Sequence, residues 1–490
     1  MTSSPLLATL RALLLVAIGL SGSLAKADDK KADPPNIVII FADDLGYGDL
    51  SSYGATKIDT PNIDRLAQEG MKFTDAHAAA SVCSPSRYGL LTGRSPWRLG
   101  KTGNGYRLAP DQLNLASMLG EEGYTSAAIG KWHLGYSKNW NQPPITGPLE
   151  KGFDYHFGVP SNHNDSTRVF IENNDIYRRT PGEEYRFVEG EPLPKGVDHP
   201  RVEDQVDTTL TKKAVEFIER NAEHPFFLYF TPCCPHTHIT PAEPFRGTSE
   251  AGLLGDYIQE LDSHVGTLLA KLKELELEEN TLVIFTSDNG GSPKDFRGTH
   301  GMVLNLASTA GGILDKYKTA KVDARKMGHI TNGPFQDGKG HPQEGGHRVP
   351  FIARWPGHIE QGSVSDYTFP LTDLVATAAE LVGTELPEDA AEDSFSLLPV
   401  LLGKPSPHER EAIFIQGDTK DNAIAVCSGQ WKLIEWKKDD VRKLYDLHAD
   451  PGETNDLAES HPDKVQHLSN LLAEAREAGR TRPTVDGEKM

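Results

Sequence analysis

Two short acidic clusters, Asp43-Asp44 and Asp288-Asn289, each lie just beyond an apolar, β-branched run, Asn36–Phe41 and Thr281–Thr286. Three carboxylates and a carboxamide form an oxygen-only donor set, which suits a hard divalent cation and disfavours zinc, a metal that favours His and Cys. Paired acids alone are most often a solvated turn or a helix cap. Two such clusters in the same place relative to a strand point instead to one metal site. Cys83 opens a second group, Cys83-Ser84-Pro85-Ser86-Arg87, followed by Leu91-Thr92-Gly93-Arg94. A lone cysteine is ordinarily a buried structural thiol. Cys-x-Pro-x-Arg, however, should arise by accident in roughly one chain of this length in a hundred, and the attached Leu-Thr-Gly-Arg argues against accident. Lys131 and His133, within Gly130–Gly135, are two residues apart and share one side of an extended segment. His236 and His238 follow in Pro235–His238, and Lys339 sits between glycines ahead of Glu344-Gly345-Gly346. Singly, each reads as a surface lysine or a satisfied histidine. Together, Arg87, Lys131, His133, His236 and Lys339 around a divalent cation make a positive pocket for a small tetrahedral oxyanion.

The elements that must position these groups alternate. Asn36–Phe41 reads as a strand buried on both faces, as in a parallel sheet covered by helices. Thr60-Pro61 reads as an N-cap and N1 proline opening a helix through Glu69. Further helices over Leu113–Glu122, Val206–Arg220 and Leu253–Leu275 each precede a strand, at Thr125–Ile129, Phe226–Phe230 and Thr281–Thr286. This alternation predicts an α/β sandwich with a large, mostly parallel central sheet flanked by helices. Ligands in such sheets gather beyond the strands' carboxyl ends, where the candidate residues lie. After Pro399, short strand-like pieces (Ala412–Ile415, Ala423–Cys427, Trp431–Trp436), the turn-rich Asp446–Leu457 and a polar helix over Pro462–Ala478 predict a smaller C-terminal α+β subdomain with an antiparallel sheet. The expected division is a leader at 1–27, a catalytic domain at 28–398 and the subdomain at 399–490.

Composition bounds the reading. At 490 residues, 37% hydrophobic and 24% charged, wholesale disorder is excluded. Lys+Arg 50 against Asp+Glu 70 gives a net charge of −20, which argues against nucleic acid as a partner without forbidding a local cationic pocket. Arg11, the apolar run Ala12–Leu20 and Ala25-Lys26-Ala27 form a signal peptide, too short to span a bilayer. The mature chain is expected to be exported, periplasmic or extracellular, with no stable membrane insertion. Four cysteines make no disulfide framework; with Cys83 reserved for chemistry, Cys233, Cys234 and Cys427 leave room for one bridge at most.

These residues resemble the formylglycine-dependent type I sulfatases of the alkaline-phosphatase superfamily. The likeness runs through Asn36–Gly48, Cys83–Arg94, Gly130–Gly135, Pro225–His236, Thr281–Gly290 and Gly333–Gly357 to Lys443–Leu457. The phrases from Asn332 to Gly346 look most like the branch containing N-acetylgalactosamine-6-sulfatase and arylsulfatase A. The resemblance implies that a formylglycine-generating enzyme reads Cys83–Arg94 and oxidises Cys83. The hydrated aldehyde then attacks sulfur, and its second hydroxyl expels sulfate, a release route that a plain serine ester lacks. It further implies that Asp43, Asp44, Asp288 and Asn289, beside the residue at Cys83, hold one Ca²⁺. Arg87 would orient the nucleophile, and Lys131 and Lys339 would neutralise the transferring group. His133 would act as base, and His236 with Lys339 would serve the departing oxygen. Asn162 would contact sulfate. The implied substrate is a sulfated carbohydrate or an aryl sulfate.

Three departures from the family pattern matter. His238 stands where proline is common, and either contacts substrate or caps its loop. His347 stands where an apolar residue is usual, and either touches a sugar or is structural. The long Gly291–Thr331 connection carries Lys294, Arg297 and His300, which line the pocket mouth or are merely solvated. Two other functions fit the same residues less well. A phosphoester or phosphonate-ester hydrolase would share the pocket, and a non-catalytic polysaccharide-binding protein would have lost the nucleophile or the acids, both of which are present.

Overall fold

The computed structural model describes residues 34–137, 139–187, 194–292, 324–408, 410–418, 423–438 and 440–483. The leader at 1–27 and Lys294, Arg297 and His300 lie outside them. Strand β1 (Asn36–Ala42) is buried at all seven positions. Its alternate residues serve two cores: Ile37, Ile39 and Phe41 pack on one face, and Val38, Ile40 and Ala42 on the other. Each such Ile or Phe is worth about 1.5–3 kcal/mol of burial. Strands β7 (Phe226–Thr231) and β8 (Thr281–Ser287) divide in the same way. The apolar runs are therefore continuous rather than alternating.

Helices cover both faces. On one side lie α2 (Cys83–Thr92) and α3 (Leu115–Glu121); on the other lie α1 (Pro61–Gln68), α4 (Val206–Arg220) and α5 (Gly252–Glu274). Among the described residues the sheet has eleven strands, with β5 (Ile171–Glu172) and β6 (Asp175–Ile176) at one edge and β10 (Ser363–Ser365) and β11 (Phe369–Pro370) at the other. Its middle is β8, β1, β7, then β3 (Thr125–Lys131) and β4 (Tyr155–Val159), all parallel. Strand β9 (Arg348–Arg354) runs antiparallel between β8 and β2 (Met71–His77).

Helix α1 begins at Pro61 as the sequence predicts, but the Thr60 side chain does not cap its N–H groups. The Asp262 carboxylate, from α5, accepts the N–H of Asn62 at 3.0 Å and of Ile63 at 2.8 Å. Strand β9 is not evident from the sequence because Pro350 interrupts it, and a proline cannot donate to a ladder. The register accommodates it: Phe73 faces Phe351 and Ala76 faces Val349, so a bulge in β2 lies opposite Pro350.

The second sheet is antiparallel: β12 (Ile413–Gln416), β13 (Ala423–Ser428), β14 (Trp431–Trp436) and β15 (Val441–Asp446). The last of these strands lies before the turn-rich segment and was not expected. The terminal helix Pro462–Ala478 covers one face with Leu468, Leu471 and Leu472. This sheet is tied to the main one: Ser81 N–H donates to the Gln416 carbonyl at 2.9 Å, and Arg410 pairs with Asp373 at 2.6 Å. All four cysteines are buried and free.

Candidate active site

Asp43 and Asp44 leave the carboxyl end of β1, and Asp288 and Asn289 that of its parallel neighbour β8, so the two acidic clusters sit side by side. The register pairs Ala42 with Ser287, and the Asp44 N–H donates to Asp288 Oδ1 at 3.2 Å. Residues 43, 44, 83 and 236 each present one ligand atom, all within 4.8 Å of one another. Asn289 Nδ2 donates to Asp44 Oδ1 at 2.9 Å, while its Oδ1 is buried with no hydrogen-bond partner. An orphaned carboxamide oxygen beside three carboxylates fits a hard, oxygen-seeking divalent cation.

Cys83 is the first residue of α2, a helix buried at every position, so its side chain lies by the partial positive charge of a helix N-terminus. Its Sγ is 3.9 Å from Asp44 Oδ1 and 3.2 Å from Lys339 Nζ. Burial and Asp288 push the thiol up to about 12, against Lys131 and Lys339, so the unmodified side chain is protonated at neutral pH and a weak nucleophile. Asp44 and His133 both have left-handed backbone, at φ 65° and 60°. Non-glycine residues are held there at a cost of roughly 1–3 kcal/mol, typically at functional sites.

Three cations answer the three carboxylates. Lys131 Nζ donates to both oxygens of Asp43, at 2.9 and 2.8 Å. Arg87 Nη2 donates to Asp288 Oδ2 at 2.7 Å, and Nη1 to the Lys131 carbonyl at 3.1 Å. Lys339 Nζ donates to Asp44 Oδ1 at 2.6 Å. Burial works against the charge on Lys131 and Lys339, but Asp43 and Asp44 respectively outweigh it and hold both above the usual lysine value. Burial, opposed by Arg87, pushes Asp288 up to about 6, still ionised at neutral pH. His133 and His236 are held well below the usual imidazole value, first by burial, then by Lys131 and Lys339 respectively. Both are neutral. His236 Nδ1 donates to the Thr237 carbonyl, which leaves Nε2 free to accept, 3.9 Å from Asp44 Oδ2. His133 Nδ1 is buried without a partner.

The sequence-predicted residues Asp43, Asp44, Cys83, Arg87, Lys131, His236, Asp288, Asn289 and Lys339 thus converge through direct contacts, and His133 lies in the same electrostatic field. Asn162 is not bonded to the cluster; its Oδ1 is buried and unpartnered, and its N–H lies 3.4 Å from Asp165 Oδ2. The adjacent His163 was not singled out from the sequence. It is fully buried, 6.2 Å ring to ring from His236, and its Nε2 meets the His238 carbonyl at 2.8 Å. Only its place beyond the carboxyl end of β4 would have marked it. His238 Nδ1 lies 3.6 Å from Glu203 and is buried without a hydrogen-bond partner. His347 is fully buried beside His77, Glu344 and Lys432, a structural setting.

Comparison with known proteins decides the family. A sulfatase family model matches residues 35–384, and a model of the N-sulphoglucosamine sulphohydrolase C-terminal region matches residues 339–478. The chain belongs to the sulfatase family. It is 34% identical to an N-acetylgalactosamine-6-O-sulfatase of Bacteroides thetaiotaomicron, over 93% of this chain and 95% of the relative. It is 35% identical to human N-acetylgalactosamine-6-sulfatase, over 82% and 72% of the two chains. A sulfatase structure from work on glycosaminoglycan metabolism in B. thetaiotaomicron superposes with a TM-score of 0.79 at 34% identity, covering 91% of this chain and all of that one. The sulfatase is accordingly a sulfuric-ester hydrolase, and its mixed sheet with a separate antiparallel C-terminal sheet is the family's fold.

Proposed function

We propose that this sulfatase removes sulfate from a carbohydrate sulfate ester, with aryl sulfates as simpler substrates. It would act through a formylglycine made from Cys83 and a calcium ion held by Asp43, Asp44, Asp288 and Asn289. The observation that carries the reading is the setting of Cys83. A Cys-x-Pro-x-Arg cysteine opens a buried helix, within 3.2 Å of a lysine and 3.9 Å of an aspartate from a strand end. Calcium, when bound, would polarise a sulfate oxygen and leave a cluster of three cations and three carboxylates doubly positive, matched to an anionic ester. Formylglycine would supply, as its hydrate, one hydroxyl for attack and a second whose deprotonation releases sulfate.

The chain's own groups divide the remaining work. Lys339, already touching position 83, balances negative charge on the transferring group, as does Lys131. Arg87 acts by fixing Asp288 and the Lys131 carbonyl rather than by free contact with substrate. The unpartnered Nδ1 of His133 is available to take the proton whose loss frees sulfate. His236 Nε2, bare while Nδ1 is pinned on a carbonyl, would take a proton from solvent as the anionic ester binds and give it to the departing alcohol oxygen. The names of the two relatives make 6-sulfated N-acetylgalactosamine the first sugar to test. We also propose maturation by a formylglycine-generating enzyme and export to the periplasm or the cell exterior, the latter on the strength of the leader.

The test is mass spectrometry of the peptide bearing position 83, purified from the native host, with sulfate release measured in parallel. The expected peptide is about 18 Da lighter than the cysteine form, and Cys83→Ala should abolish turnover. An unmodified thiol, or a preference for p-nitrophenyl phosphate over the sulfate, would overturn the reading.

A further inference from the structure

The sulfatase reading gives Lys339 a task, and on that basis we propose that Lys432 and Glu453, from the C-terminal sheet and the turn after it, are positioning residues for Lys339. Lys432 lies in β14 with its ammonium fully buried, 2.8 Å from Glu344 Oε1 and 2.9 Å from Glu453 Oε1. Glu453 has left-handed backbone at φ 52° and is buried, an unfavourable state for a carboxylate unless a cation holds it. Its other oxygen accepts the Glu344 N–H at 2.6 Å, capping the single helical turn Glu344–His347. One residue of the second sheet and one of the turn after it therefore grip Glu344 by both its side chain and its backbone.

The turn they grip is pressed against the pocket. Gly345 N–H donates to the Gln336 carbonyl at 3.0 Å, and the Gly346 carbonyl accepts from Gly290 N–H, the residue after Asn289, at 2.9 Å. Neither glycine has room for a side chain: a Cβ on Gly345 would fall 2.4 Å from the Gln336 oxygen, and one on Gly346 would fall 2.0 Å from the His341 oxygen. Lys339 lies within this 336–341 loop, and its own N–H donates to the Gly291 carbonyl at 3.2 Å. With backbone packed on backbone, a displaced Glu344 turn must displace the loop that aims Lys339 Nζ at Asp44 and position 83. An error on the order of 1 Å in such a group can cost about 100-fold in rate.

Two double-mutant cycles with p-nitrophenyl sulfate test this: Glu453→Ala with Lys339→Ala, and Lys432→Met with Lys339→Ala. In each, kcat and KM are measured on protein shown to unfold cooperatively. Glu453→Ala and Lys432→Met should each lower kcat about tenfold with KM within about twofold, and in the Lys339→Ala background each should cost less than about twofold. A tenfold loss that recurs in that background, or an unchanged kcat in folded Glu453→Ala protein, overturns the proposal. If Lys432→Met does not fold, Glu453→Ala carries the test, because Glu344 keeps Lys432 as its counter-ion. Wild-type protein with formylglycine at position 83 that releases no sulfate would instead overturn the sulfatase reading.

Discussion

Arg87 is a fully buried guanidinium that donates to Asp288 and to the Lys131 carbonyl and lies 3.6 Å from Asp43. Removing one partner of a buried charge pair leaves the other uncompensated. Arg87→Met should therefore destabilise the metal-free protein by about 3–5 kcal/mol, read as a lower urea midpoint at unchanged slope. Lysine is no substitute, since one ammonium cannot reproduce the two-pronged bond. The three carboxylates give a second expectation. Stripping divalent ions with a chelator should lower Tm, and calcium at a hundred times its Kd should restore about 2.7 kcal/mol. Asp43→Asn should blunt that recovery. At this scale the sequence was informative. Nine of its candidate residues meet through direct contacts: six were read from their place after a strand, Cys83 and Arg87 from a motif, and Lys339 from a glycine-rich loop. What one-dimensional spacing did not disclose was pairing: nothing in the order of residues says that Lys131 takes Asp43 while Arg87 takes Asp288.

At the scale of elements, two long-range bonds have measurable consequences. Asp262 in α5 caps α1 across 200 residues of chain. Asp262→Ala should cost about 1–2 kcal/mol by urea unfolding, with kcat unchanged because the site is elsewhere. His156 in β4 donates from Nδ1 to the Ala128 carbonyl of β3, and its Nε2 accepts from Tyr136. Burial lowers this imidazole to about 4 from its ordinary 6.5. The unfolded chain therefore takes up the proton first, and the stability present above pH 6.5 is lost as pH falls toward 4. The loss is on the order of 3 kcal/mol. His156→Gln should flatten the stability curve over that window by this amount, measured against wild type. The elements themselves were mostly legible: α4 and the terminal helix have the expected bounds, and β1, β3, β7 and β8 differ by one or two residues. Strand β4 was not, its apolar run broken by His156 and Gly158, and neither were β2, β9 and β15. Pro350 and the charged residues of these strands obscure any apolar run, and only the bulge opposite Pro350 makes room for it.

For the molecule as a whole, the C-terminal sheet is joined to the segments of the candidate site by a backbone bond at Ser81, by Arg410–Asp373 and by the buried Lys432–Glu344 pair. A chain ended at residue 398 would uncover the Glu344 turn and take Lys432 and Glu453 from it, leaving Glu344 with Arg348 alone. We expect such a truncation to yield no cooperative unfolding transition and no sulfate release, by calorimetry and by p-nitrophenyl sulfate assay. A truncated chain with near-wild-type kcat would mean that the second sheet is an ornament on the first.

The sequence by itself determined the layered α/β architecture and singled out the acids, cations and cysteine of the candidate site, most of them at strand ends. Those follow from local runs and short motifs, whose physics lies within a few residues. Tertiary structure alone decided which charges neutralise one another, that Asp262 and not Thr60 caps α1, that His163 joins the His236 loop, and that Lys432 and Glu453 clamp the Glu344 turn. Each of these is a contact between segments far apart in the chain, fixed by strand order and close packing, and neither periodicity nor composition encodes that information.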